Sequence, residues 1–296
     1  TTSTGKITFS KELSLQSGGK TKFLAQSGRK IFIDNVLSGR SAIEIAAASR
    51  VTFRSESNAP NYSGSITLLG NNTTLISNTK DNNTFLPANI LLKPDGTSTG
   101  HTITINGANT FKGKIQTEQN ALTLNINKNQ SSIGTMTINA GDLNLNIGAN
   151  VTELNFADHA NVNWPSAGKL VVSGFVDNVM KFGTNAQGLT TAQLAKIEVG
   201  GRNPEIEANG KLTLPVATAN LSVSSASIAE AGATASTVTV TLSKALATNE
   251  TITLAATGTA TGGGTDYTLS TTSIAIAAGQ TTGTATVTAV DDVIDD

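Results

Sequence analysis

Few side chains in this sequence can move a proton near neutral pH: there are two histidines, His101 and His159, and no cysteine. Asp158 precedes His159, and an Asp-His pair can orient a general base. A nucleophile would still be needed, and adjacent residues on a strand point to opposite faces. Both histidines read as turn residues without a catalytic role: His101 follows Gly100 at the start of the strand Thr102–Ile105, and His159 follows its aspartate in a turn. Glu118, Asp142, Glu153 and Asp158 are the acids to weigh for glycoside hydrolysis, which needs two carboxyl groups about 5–9 Å apart. They form no compact cluster with Arg or Lys along the chain. The single tryptophan, Trp164, precedes Pro165 and reads as an aromatic packed at the end of a turn rather than a sugar platform. Thr102/Thr104 and Thr135/Thr137 make Thr-x-Thr pairs, but the strands between them carry Asn, so no regular ice-binding array is expected.

These residues sit on short alternating strands. Leu122, Leu124 and Ile126 fall on one face with Thr123 and Asn125 on the other; Leu143, Leu145 and Ile147 repeat this with Asn144 and Asn146. Strict alternation over four to eight residues marks a half-buried strand. Segments this short cannot bury a face alone, so stacking copies as turns of a solenoid is the economical solution. The expectation is an all-β chain whose residues 1–200 form a right-handed parallel β-helix (solenoid). The island Ala42–Ala48 alternates at Ile43 and Ile45 and reads as strand; Asn78–Pro94, with two prolines, reads as a loop thrown out from the coil. Thr190 as N-cap with Gln193 three residues on, and Leu189 with Leu194, predicts a short helix reaching about Lys196. Within a capping segment 174–200, that helix is expected to cover the last open sheet edge. Asn209-Gly210 between Ile206 and Leu212 predicts a type I′ hairpin, and Pro215 opens a linker, so 201–217 is hairpin and linker.

The totals exclude some partners. With 296 residues and a formal net charge of −1, there is no basic footprint for nucleic acid. Charged residues make up 14%, against roughly 25% in ordinary soluble domains. No run of 18 apolar residues occurs, so no membrane-spanning segment is expected. The closing DDVIDD suggests a fragment of a longer chain.

Asn61-Tyr62-Ser63-Gly64-Ser65-Ile66 and Thr110-Phe111-Lys112-Gly113-Lys114-Ile115 share an aromatic-x-Gly-x-Ile pattern about two solenoid turns apart. They resemble the strand repeat of autotransporter and adhesin passenger regions. Phe182–Ile197 (FGTNAQGLTTAQLAKI) is similar to a segment of large secreted bacterial surface proteins.

Residues 218–296 alternate at Thr237–Leu242, Thr251–Leu254, Thr272–Ile276 and Thr284–Ala289, which suggests an immunoglobulin-like sandwich. SIAEAGATASTVTVTLSKAL, GTATGGGTDYTLS and SIAIAAGQTTGTATVTAVDDVIDD together resemble a Calx-beta domain. That resemblance implies calcium held by carboxylates at one pole: Glu230 after the first strand, Asp266 beside Tyr267, Asp291 and Asp292 after the last strand, and Asp295 as a further acid. Calcium takes six to eight oxygens, a number that acids on three separate loops would help to supply. The plainer reading is a solvated acidic chain end.

Together these resemblances imply an extracellular structural or adhesive protein of the bacterial surface, either a calcium-stiffened segment of a larger adhesin or a subunit of a fibre or layer. Its partners would be copies of itself, further domains of a longer chain, or surface glycans. The alternative is a carbohydrate-active enzyme or glycan-binding β-helix.

Overall fold

The alternation becomes three parallel stacks of strands, wound one turn after another. A computed structural model describes residues 6–9, 13–15, 20–23, 30–34, 37–46, 49–54, 62–87, 91–165, 167–246 and 248–291. Asn61 of the first repeat, Asp292 and Asp295 lie outside them. The chain divides into two units, Thr1–Leu214 and Pro215–Asp296.

In the first unit a nine-stranded parallel sheet runs from Lys6–Phe9 through Lys30–Ile33, Arg50–Phe53, Thr74–Ser77, His101–Ile105, Leu122–Ile126, Leu143–Ile147 and Leu170–Ser173 to Ile197–Val199. A six-stranded sheet takes a second side, from Lys20–Phe23 to Met136–Thr137. The third side is built from shorter pieces: Leu13–Leu15 with Leu37–Gly39, the bridges Gly39–Tyr62 and Leu86–Phe111, and then Gln130–Ile133, Leu154–Phe156 and Met180–Phe182. This is a parallel β-solenoid. In-register pairing stacks like on like, so Ile103, Leu124, Leu145 and Val172 form one inward column. Ile43, Ile66, Leu92, Ile115 and Met136 form another. All are buried, and each such side chain contributes about 1.5–3 kcal/mol relative to exposure.

The aromatic-x-Gly pattern has a packing reason. Tyr62 and Phe111 are buried on the third side. A Cβ on Gly64 would lie 2.2 Å from the Ser41 carbonyl oxygen of the turn before, so only glycine lets the chain pass. Of the strand expected over Ala42–Ala48, Ala42–Ile45 forms; residues 47 and 48 lie outside the described residues. The described part of Asn78–Pro94 is not an extruded loop: Phe85 and Leu86 are buried and Leu91–Pro94 is a strand of the second sheet, while residues 88–90 lie outside the described residues. Pro94 ends that strand, and the next amide, Asp95 N, donates to Leu68 O at 2.9 Å, so the missing N–H does not interrupt the ladder.

The helix is short, Thr191–Leu194, and has the expected capping box. It sits in the chain between Met180–Phe182 and Ile197–Val199, within the last turn. The free edge of Met180–Phe182 is taken instead by the antiparallel hairpin Glu205–Ile206/Leu212–Thr213: Asn178 N donates to Leu212 O at 2.9 Å and Phe182 N to Gly210 O at 2.8 Å. The hairpin turn is not type I′, because only Gly210 (φ +82°), and not Asn209, takes positive φ. The turn closes through Gly210 N to Glu207 O, with Gly210 as the left-handed residue after it.

The second unit holds two antiparallel sheets. One has the order Ala219–Val223, Ala235–Leu242, Thr282–Ala289, Tyr267–Leu269; the other pairs Glu250–Thr253 with Ser273–Ile276. Val238, Val240, Leu242, Ile274, Ile276 and Ala285 close a core between them.

Leu145→Ala should lower solenoid stability by about 2–5 kcal/mol. Urea denaturation followed by the fluorescence of Trp164 measures this.

Candidate functional site

Two buried polar side chains of the solenoid, His159 and Gln193, meet where a turn departs from the common pattern. The second sheet ends at Met136–Thr137 although two more turns follow on the other sides. There, side chains replace a strand. Met136 N donates to His159 Nε2 at 2.8 Å, and Trp164 Nε1 donates to Met136 O at 2.8 Å. An amide is always a donor, so His159 Nε2 carries no proton and Nδ1 donates to Ala157 O at 2.6 Å. The ring packs edge-on to Phe182 at 5.0 Å and to Trp164 at 6.1 Å. Burial pushes its pKa down to about 4, against the opposing effects of the Ala157 hydrogen bond and the Asp158 charge. The loop carrying both rings is held from the helix: Gln193 Nε2 donates to His159 O at 2.9 Å and to Val162 O at 2.7 Å, while its Oε1 accepts from Thr190 N at 2.7 Å. Lys196 Nζ donates to Trp164 O. Trp164 is thus a packed aromatic, and Asp158 accepts from Ala160 N at 2.8 Å rather than orienting His159.

His101 occupies an inward column that continues as Leu122, Leu143, Leu170 and Ile197. Its Nε2 lies 2.8 Å from Ser98 Oγ, and Ser98 Oγ donates to Asp95 Oδ1. The serine donates to the acid, not to the imidazole, which is the wrong order for an activated nucleophile. Burial lowers the His101 pKa, although the Asp95 charge and the Ser98 backbone hydrogen bond favour the cation. Burial alone would raise the Asp95 carboxyl, but bonds from the Ser98 side chain and from Gly70, Ser98 and Thr97 amides hold it below the ordinary carboxylate range. Gln130, fully buried, accepts from Thr110 N and Phe111 N and donates to Gly107 O and Lys128 O. Neither the Asp95 ring of bonds nor Gln130 stood out in the sequence; an inward polar residue is visible only once the register is known.

The four acids weighed for hydrolysis lie in separate local contacts. Glu118 pairs with Lys93 at 3.2 Å and Gln116 at 2.6 Å, Asp142 accepts from Lys169 N, and Glu153 accepts from Asn155. A groove of about 370 Å³ on the third side is lined by the polar side chains of Ser131, Ser132, Asn155, Asp158, Lys181 and Thr184, with apolar residues such as Ile133 and Phe156 between them. On the outward surface, amides link successive turns. Asn106 donates to Asn78 at 2.6 Å and Asn127 to Asn106 at 2.7 Å; Asn125 donates to Thr104 at 3.1 Å and Asn146 to Asn125 at 2.8 Å.

In the second unit, the segments bearing Glu230, Asp266 and Asp291 meet at the end of Thr282–Ala289. Ala289 N donates to Thr234 O, Val290 N to Asp266 O at 2.9 Å, and Gly232 N to Asp291 Oδ2 at 3.2 Å. Thr261 N donates to Asp266 Oδ2, closing its loop. Their all-oxygen donors suit a hard cation such as calcium, and Asp266 and Asp291 each use one oxygen on a main-chain amide. Among the described residues no group of three or more acids or histidines closes a metal cage.

Family models, curated proteins and solved structures yield no match to this chain. What it does must therefore be argued from its own geometry.

The His159 pKa, about 4 folded against an ordinary 6.5, fixes a sign. Below pH 6.5 the unfolded chain binds more protons, so stability is full above 6.5 and falls as pH drops toward 4. The loss is about 3 kcal/mol at roughly 1.4 kcal/mol per pH unit. Urea midpoints read from Trp164 between pH 7 and 4 should show this slope, and His159→Gln should remove most of it.

Proposed function

We propose that the chain is an extracellular structural or adhesive element of a bacterial surface, either a calcium-stiffened segment of a larger adhesin or a subunit of a fibre or surface layer. The observation that carries this reading is the pair of outward ladders, Asn78–Asn106–Asn127 and Thr104–Asn125–Asn146, whose side chains tie turn to turn. Such ladders stiffen a rod. The aromatic-x-Gly repeat and the Phe182–Ile197 segment support the adhesin form through their resemblance to passenger regions. An antibody to the chain should label intact, unpermeabilised source cells; labelling only after lysis would reject the reading.

The second unit is read as an immunoglobulin-like, Calx-beta-like sandwich. Calcium would be held by Glu230, Asp266 and Asp291, with Asp292 and Asp295 as further ligands; the main-chain bonds that bring the first three segments to one pole support this. The ion would neutralise acids that otherwise repel and would fix three loops together. In calorimetry, calcium at about 100 times its Kd should add about 2.7 kcal/mol to the second unit's stability. Asp266→Asn with Asp291→Asn should abolish that gain without changing the chelator-treated midpoint. A midpoint indifferent to calcium in the parent chain would remove the metal from the reading.

One observation favours a second reading, glycan binding. The lateral groove presents the hydroxyls of Ser131, Ser132 and Thr184, the Asn155 amide, Asp158 and Lys181 along successive turns, a polar set suited to sugar hydroxyls. On this reading, retention of the chain on a panel of immobilised oligosaccharides would be lost in Asn155→Ala/Lys181→Ala; retention unchanged by that variant would reject the groove.

A further inference from the structure

The second unit leaves a strip of its own core face uncovered. Strand Ala219–Val223 pairs with Ala235–Leu242 so that Leu221 stands opposite Val240 and Val223 opposite Val238. Directly opposed residues share a face, so Leu221 and Val223 point to the core side. Val240 and Val238 are 1% and 6% exposed, yet Leu221 and Val223 are 54% and 49% exposed. Of the four large apolar side chains exposed among the described residues, three, Val216, Leu221 and Val223, belong to or adjoin this strand.

The cause is a mismatch between the two sheets, of four strands against two. A Cβ on Gly283 would meet Ile274 at 2.5 Å and Ile276 at 3.0 Å, so Ser273–Ile276 crosses Thr282–Ala289. Leu254, just after Glu250–Thr253, shares a groove with Tyr267 and Leu269 of the outer strand. The small sheet therefore covers Tyr267–Leu269 and, because Ile274 and Ile276 pack with Ala285, Val238, Val240 and Leu242, also Thr282–Ala289 and Ala235–Leu242; only Ala219–Val223 lies beyond it. Among the described residues, Leu221 and Val223 are left about half exposed on their core side, a vacancy in the inter-sheet layer, and Ser273–Ile276 pairs with no strand other than Glu250–Thr253.

We propose that a second copy of this chain fills that space reciprocally. The vacancy continues the established inter-sheet core, so what fits it is another sheet at the usual packing distance of about 10 Å. The overhanging Ala219–Val223 strand of one copy has the right form: it is extended, apolar at alternate residues and, among the described residues, unpaired along its outer edge. Turned by a two-fold axis, it lies beside the partner's Ser273–Ile276 strand and beneath the partner's own overhang. The partner's strand does the same in return. Two sheets of unequal width thereby become two sheets of equal width, with one continuous core and both exposed edges paired. Such a contact is isologous and closes at two copies, and it removes an apolar edge strand that would otherwise invite uncontrolled pairing. The inference names a contact for the self-associating form of the proposed function and rests on that form, but not on calcium or surface location.

Light scattering after size exclusion of the full chain, over a concentration series, tests it. The parent chain should run at twice the chain mass and Leu221→Ser/Val223→Ser at one chain mass, with identical far-UV circular dichroism. These side chains are exposed within one copy, so the variant should fold. A parent chain of single mass at every concentration overturns the proposal and leaves the monomeric adhesin segment standing. An assembly whose mass survives the double substitution overturns this surface while leaving self-association in place.

Discussion

In-register parallel pairing is the constraint on which the solenoid depends. Each turn's amides and carbonyls are satisfied by the turns before and after it, so every position must repeat the character of its neighbours along the column. Leu122 over Leu143 over Leu170 is a direct result. The constraint fails wherever a column stops, and there the main chain needs other partners. At Met136 they are an imidazole and an indole, brought by one loop. At Met180–Phe182 they are the backbone of a hairpin.

The buried polar chemistry follows from the same requirement. The buried His159, Gln130 and Gln193, and the half-buried Asp95, each accept from one or more backbone amides that the regular ladder leaves without partners. A neutral imidazole held between a donor and an acceptor of fixed kind is a structural group with a fixed tautomer. Its proton would be hard to exchange during a reaction, and its low pKa is a record of burial rather than of catalytic tuning. The solvent-facing amides of the two ladders bind one another across turns.

Much of this architecture was readable in the sequence because a period of two is a strong signal. Strands at Leu122–Ile126 and Leu143–Ile147, the Thr190/Gln193 capping box and the hairpin around Gly210 were all legible from residue types a few positions apart. What was not legible depended on neighbours one turn away. Asn78–Pro94 looked like a loop because its prolines and Asp-Asn-Asn are local punctuation, while the burial of Phe85 against Phe53, 4.9 Å between ring centres, is a property of the stack. The roles of Gln130 and of the Asp95–Ser98–His101 chain were hidden for the same reason. In the second unit the resemblance only nominates the acids Glu230, Asp266 and Asp291. The meeting of their segments became visible only with the antiparallel register around Thr282–Ala289.

The amide ladders also bear on how the rod yields to force. Asn125 bonds to Thr104 and Asn146 to Asn125 across the same 21-residue spacing, so a turn cannot lengthen without giving up its whole set of bonds to the next. A pull applied at one end then releases the chain one coil at a time, each releasing roughly 70 Å of slack at about 3.3–3.6 Å per residue. In the proposed role of a surface tether, the solenoid would give in steps under sudden load, and the coils that have not opened would stay intact.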